Sequence, residues 1–326
     1  MKRFLLLFVT LCFALSGCFV VKPPENPELK KVTVVLDWIP NTNHTGMYLA
    51  KDLGYYAEVG LDVEIIQPPE DGAVALVAGG KADFGVSFQE EIAFALDADE
   101  PMPVTAVAAI LQHNTSGIIS LKDKGITSPK GLEGKKYATW DMPVEKAILK
   151  SVIESDGGSF DKVKMIPSTV TDVITALQTN VDAVWIYYGW DGVAAEVKGL
   201  DTNYFDFRSI NPVLDFYTPI LISGNDFLKN NGETAKKFLA ATAKGYEYAV
   251  ANPKEAAECL VRNAPETDLE IAIKSQEFLS GEYIAEAEKW GVIDPERWSG
   301  FYTWLFERGL TKKLLGTAGF TNEYLK

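Results

Sequence analysis

The chain has 326 residues, 45 of them acidic and 31 basic, for a formal net charge of −14. That balance argues against a nucleic-acid partner and against a polybasic membrane patch. Three cysteines without a CxxC pair exclude a disulfide framework and a cysteine-based metal site.

The amino end reads Met1-Lys2-Arg3, then an apolar run over 4–15, then Leu15-Ser16-Gly17-Cys18. A basic start, about a dozen apolar residues and small residues before a cut describe a secretory signal. The run is too short to stay in a bilayer as a spanning helix. The end of this stretch resembles a bacterial lipobox, so residues 1–17 are expected to be removed and Cys18 to carry lipid. Cleavage takes Lys2 and Arg3 away and moves the charge from −14 to about −16. Cys12 leaves with the signal, and Cys259, set in a helical pattern, is expected to be a small core residue. Residues 18–30, with Pro23, Pro24 and Pro27, suit neither a helix nor a central strand and read as a tether.

Apolar, β-branched runs predict strands over 32–36, 63–66, 84–86, 104–108, 118–120, 136–138, 163–165, 183–186 and 220–222. Helical patterns fall between them, over 47–51, 73–78, 90–96, 144–154, 170–177 and 193–197. After residue 226 the pattern is helical alone, over 233–251, 253–263, 269–281 and 295–308. Asn252-Pro253 and Asp294-Pro295 read as helix starts. This alternation predicts an α/β fold with parallel sheets covered on both faces, in two lobes with a cleft between them. A crossing is expected at 127–132 and a return near 217–222. Residues 31–125 and 217–326 would then form one lobe and 126–216 the other.

Four segments carry candidate site residues. In the first, 37–46, Trp38 offers a flat apolar face, Asn41, Asn43, Thr42 and Thr45 offer short polar arms, and His44 lies among them. A strand that ends in such a loop before a helix presents it at the carboxyl edge of a sheet, where α/β folds bind small molecules. The second, 184–192, packs Trp185, Tyr187, Tyr188 and Trp190 beside Asp191. Aromatics this dense can sandwich a ring, and a carboxylate accepts strongly from an amine or ring N–H. The alternative for this cluster is lobe packing, with Asp191 capping the next helix. In the third, Ser87 and Glu90 have capping-box spacing, with Phe88 and Gln89 at the helix mouth. The fourth, 113–117, begins with His113. His44 and His113 are the chain's two histidines, and no HExxH or cysteine partner makes them a metal site. No nucleophile elbow, phosphate-binding loop or dinucleotide fingerprint is present, and no cofactor is expected.

Three of these segments also carry a resemblance. Trp38-Ile-Pro-Asn-Thr-Asn-His-Thr-Gly46, Gly85-Val-Ser-Phe-Gln-Glu-Glu91 and Leu111-Gln-His-Asn-Thr-Ser-Gly117 resemble, in order, the periplasmic-binding-protein-like family that handles the pyrimidine precursor of thiamine. The resemblance runs from about residue 31 to the end and is nearest to solute-binding lipoproteins that deliver formylaminopyrimidine to an ABC importer. It implies a type II two-lobed binding fold, a lipid-anchored extracytoplasmic location, an importer permease as partner and an aminopyrimidine ligand. The residues it points to are Trp38, Asn41, His44, Phe88, Gln89, His113, Tyr187, Tyr188, Trp190 and Asp191. Asp191 departs from the family's expected Glu after Gly-Trp, which leaves riboflavin or another aromatic heterocycle as an alternative ligand. Fungal relatives are enzymes that make the pyrimidine from pyridoxal phosphate and one of their own histidines. Here the returning stretch 215–222 has no Cys and the helix beginning 89–92 has no His, and both departures favour a binding protein.

Overall fold

The computed structural model describes residues 29–69, 72–168 and 170–325. The signal segment, Cys18 and the tether before Leu29 lie outside the described residues.

Among these residues the chain builds two five-stranded sheets. The first opens with β1 (Lys30–Val35), α1 (Thr45–Asp52), α2 (Tyr55–Glu58), β2 (Leu61–Ile66), α3 (Gly72–Ala78), β3 (Phe84–Ser87), α4 (Gln89–Asp97) and β4 (Val104–Ala109). The second holds β5 (Ser116–Leu121), β6 (Lys136–Thr139), α5 (Pro143–Ser155), β7 (Lys164–Pro167), α6 (Val173–Thr179), β8 (Ala183–Tyr187), α7 (Val193–Val197), β9 (Thr202–Asp206) and α8 (Phe207–Ile210). The chain then returns through β10 (Ile220–Gly224) and ends in α9 (Asn225–Ala251), α10 (Pro253–Asn263), α11 (Leu269–Ser280) and α12 (Pro295–Glu307). The strand orders are β2-β1-β3-β10-β4 and β7-β6-β8-β5-β9.

β1 shows why its sequence forms a strand covered on both faces. Alternate residues point to opposite sides. Val32 and Val34 pack into one apolar cluster with Met47, Leu49 and Phe238, while Val35 packs into another with Ala73 and Val77. The second of these clusters also takes in Ile118, Tyr137 and Ile148 from the second sheet's side and Phe301 from α12, so the two halves share one core.

Three expectations are corrected. The sheets are mixed rather than parallel: β10 runs antiparallel to β3 and β4, and β5 antiparallel to β8 and β9. The first crossing lies at 110–115, not 127–132, because the strand expected over 118–120 pairs with β8 and β9 in the second sheet. The Ser87–Glu90 capping box does not form. Phe88 takes the cap position without a side-chain bond, and Ser87 donates instead to Glu91 at 2.6 Å. At the predicted helix starts, Asp294 caps Arg297 N–H at 2.7 Å, whereas Asn252 turns its amide to Tyr248 O. Cys259 is buried in α10, and burial pushes its thiol up to about 12.

Candidate functional site

β1 runs parallel to β3, and β6 runs parallel to β8. The loops that follow these four strands therefore leave the carboxyl edges of the two sheets, the edges at which this class of fold takes ligands.

The loop after β1 is wired to itself and to the C-terminal helices. Asn41 caps the helical turn Thr42–His44: its Oδ1 accepts from Asn43 N–H at 3.0 Å and its Nδ2 donates to Ile39 O. Asn41 N–H donates to His44 Nδ1 at 3.1 Å, so the other ring nitrogen, Nε2, carries the proton given to Asp37 at 2.6 Å. Tyr283 donates to Thr42 O, Tyr246 donates to Asn43 O, and the Thr42 hydroxyl meets Ser275 at 2.5 Å. Gly46 then has to be glycine, because a Cβ there would sit 2.3 Å from the Tyr246 ring. Trp38, in the same loop, is 47% exposed.

The loop after β3 brings Phe88, Gln89, Glu90 and Glu91 to the mouth of α4. Gln89 is fully buried, donating to Trp298 O at 2.9 Å and accepting from Tyr217 N–H at 2.8 Å. Glu90 is different. Its Oε2 is out of contact with water and has no hydrogen-bond partner among the described residues. Burial, with Glu91 adding like charge, pushes the Glu90 carboxyl up to about 8, so it is mostly protonated at neutral pH. Burial raises Glu91 as well, with Asp37 adding to it.

From the other sheet, β8 delivers Tyr187 and the wide helical turn Tyr188–Gly192. The Tyr187 ring stacks on Phe88, centroids 6.4 Å apart and planes 15° off parallel, and its hydroxyl meets Thr218 at 3.2 Å. Tyr188 packs between Tyr204 and Phe278, and its hydroxyl donates to Glu196. Trp190 is half-buried. Asp191 has no hydrogen bond or ion pair with any described residue. Burial, with Asp172 adding like charge, pushes its carboxyl up to about 6.

The structure stacks Phe88 on Tyr187 across the two sheets, leaves Trp38 exposed and Trp190 and Asp191 half-buried, and gives five other expected site residues protein partners. His44, Gln89 and Asn41 have their polar groups engaged by the protein. Tyr188 is packing. His113 lies in the first crossing with Nδ1 on Asp215 at 2.6 Å and Nε2 on Glu286 at 2.7 Å, and its pKa is raised, first by the Asp215 bond. It ties the first crossing to Asp215 and Glu286. Sequence reasoning read Glu90 only as a cap partner and did not single out Glu91, and burial raises both carboxyls. The available signal was two carboxylates heading a helix whose preceding residue, Phe88, cannot cap it. No group of three His, Cys, Asp or Glu side chains suited to a metal stands together among the described residues.

Residues 41–256 match the family described as NMT1/THI5 like. The chain belongs to this family. Like it, the formylaminopyrimidine-binding protein of Halalkalibacterium halodurans is similar along almost its whole length, 30% identical over 318 residues and covering 94% of each chain. A 4-amino-5-hydroxymethyl-2-methylpyrimidine phosphate synthase of Saccharomyces cerevisiae is 25% identical over 263 residues, 75% of this chain and 74% of that one. Among solved structures, the alkanesulfonate-binding protein of Xanthomonas axonopodis pv. citri superposes with a TM-score of 0.68 at 12% identity, covering 90% of this chain and 99% of that one. The fold of this NMT1/THI5-like chain is therefore the two-lobed periplasmic-binding-protein-like fold.

Proposed function

We propose that this chain is an extracytoplasmic solute-binding protein that closes its lobes, roughly 31–109 with 220–325 and 116–206, on an aminopyrimidine of the formylaminopyrimidine type and delivers it to an ABC importer. The carrying observation is Asp191: a half-buried carboxylate beyond the end of β8 with no hydrogen bond or ion pair to any described residue. Such a group binds best to a ligand that brings donors. The rest of the lining points the same way. Segments 37–44, 88–91 and 187–192 hold Asp37, Glu90, Glu91 and Asp191 and neither Lys nor Arg, while Asp141 of the turn after β6 pairs with Lys146. An acid-lined cleft suits an amine-bearing heterocycle and repels an anion such as an alkanesulfonate, even though the fold is shared. Glu90, protonated, adds one donor beside its acceptor, which matches the mixed edge of a pyrimidine amide.

Calorimetry against formylaminopyrimidine, its deformylated amine, riboflavin and an alkanesulfonate tests this. The pyrimidines should bind at least about a hundredfold more tightly than the other two, a difference of about 2.7 kcal/mol. Riboflavin binding more tightly than either pyrimidine would transfer the site to a different heterocycle. An enzymatic reading is disfavoured by the absence of Cys from 215–222 and of His from α4. Lipid anchoring rests on Leu15-Ser16-Gly17-Cys18. Labelled fatty acid should enter the native chain and not Cys18→Ser, and equal labelling of both would remove the anchor.

A further inference from the structure

We propose that Trp140 is the second aromatic wall of the site, meeting a flat heterocycle from the second sheet's side while Trp38 meets it from the first. This rests on the reading of the cleft as a heterocycle site and adds that the ligand must be planar.

Of the seven tryptophans, Trp38 and Trp140 are the two that are exposed, at 47% and 43%. Each follows a strand end, and each has an exposed apolar neighbour, Ile39 and Met142. β6 pairs in parallel with β8 through Ala138 and Val184, so Trp140, two residues on, comes level with the end of β8 where Tyr187 enters the cleft. The Trp140 ring is steadied edge-on against Trp185, 5.1 Å away at 79°, and Trp185 rests on Phe207 at 4.3 Å. Edge-on packing holds an indole in place and leaves a face free for stacking.

The backbone is built to hold this presentation. Asp141 has φ +66°, a conformation that a non-glycine residue keeps only where its surroundings enforce it. Here Asp141 N–H donates to Thr139 Oγ1 at 2.9 Å, and that hydroxyl donates to Glu145 Oε2 at 2.7 Å. Glu145 is fully buried and also accepts from Tyr137 at 2.9 Å, while Lys146 pairs with Asp141 at 2.5 Å. A strained turn, fixed by a buried carboxylate, that pushes a large ring into solvent is hard to account for by folding alone.

The test compares native protein with Trp140→Phe, Trp140→Leu and Trp140→Ala by calorimetry, with thermal melts to confirm folding. Phe keeps a ring and should bind formylaminopyrimidine within about threefold of native. Leu keeps apolar bulk without a ring, and both Leu and Ala should lose about tenfold to a hundredfold. In Trp38→Phe protein, ligand should still quench tryptophan fluorescence, and adding Trp140→Phe should remove most of that response. Native-like affinity in Trp140→Ala, or Leu performing as well as Phe, would overturn the proposal. Should the native protein take riboflavin and not the pyrimidine, the functional reading fails, and the same three variants against riboflavin decide on Trp140.

Discussion

In the loop after β1, Asp37, Asn41, Thr42 and His44 all have protein partners, whereas in the turn after β8 Asp191 has none. The two segments face each other from different sheets and do opposite things with their polar groups. The first holds an exposed indole, Trp38, on a hydrogen-bonded frame. The second leaves a half-buried carboxyl without a protein partner, and burial raises its pKa. A binding site needs both kinds of construction: rigidity keeps the ordering cost of binding low, and an unmet polar group supplies affinity.

The comparison is broken most severely at Asp191. Asp191→Asn keeps the shape and removes the charge, and it should cost about 2–5 kcal/mol of affinity for an aminopyrimidine. The same change should stabilise the free protein. The folded-state pKa, about 6, lies above the ordinary 3.8, so ionisation is harder in the folded chain. The penalty grows as pH rises from about 4 and is complete above about 6. Melts of ligand-free Asp191→Asn should therefore run higher than native at pH 7.5 and coincide with native at pH 3.5. A lower melt at pH 7.5 would mean that Asp191 has a structural partner.

His44→Ala attacks the other segment and has a smaller expected effect. It leaves the Asp37 carboxylate and Asn41 N–H without partners, at a cost of about 1–3 kcal/mol of stability. Urea unfolding should register this loss in the absence of ligand, and affinity should fall less than in Asp191→Asn. A variant as stable as native but unable to bind would make His44 a ligand contact after all.

The same contrast explains what could be read from the chain. The runs that become β3, β4, β10 and the part of β1 after Lys31 are legible because both faces are buried there, so nearly every residue must be apolar or small. β9 is not legible: Thr202-Asn203-Tyr204-Phe205-Asp206 is half-buried throughout and becomes a strand because β5 offers it an edge. Trp38 and Asp191 stand out by type and position at strand ends. Gln89 and His113 could not be classified the same way, because their partners, Tyr217 and Glu286, lie 128 and 173 residues further along. Whether a polar residue faces a ligand depends on whether the fold has already satisfied it, and that is a long-range fact.

The place of β10 bears on how the protein is made. In the first sheet it lies between β3 and β4, although it follows the whole of the second sheet in the chain. Until residues 220–224 have been synthesised, β3 and β4 each lack a neighbour and the sheet is open at its middle, so its closure depends on contacts distant in sequence. Early segments then cannot lock into a stable lobe before the later ones exist. The first lobe therefore closes late, when most of the chain has already been made.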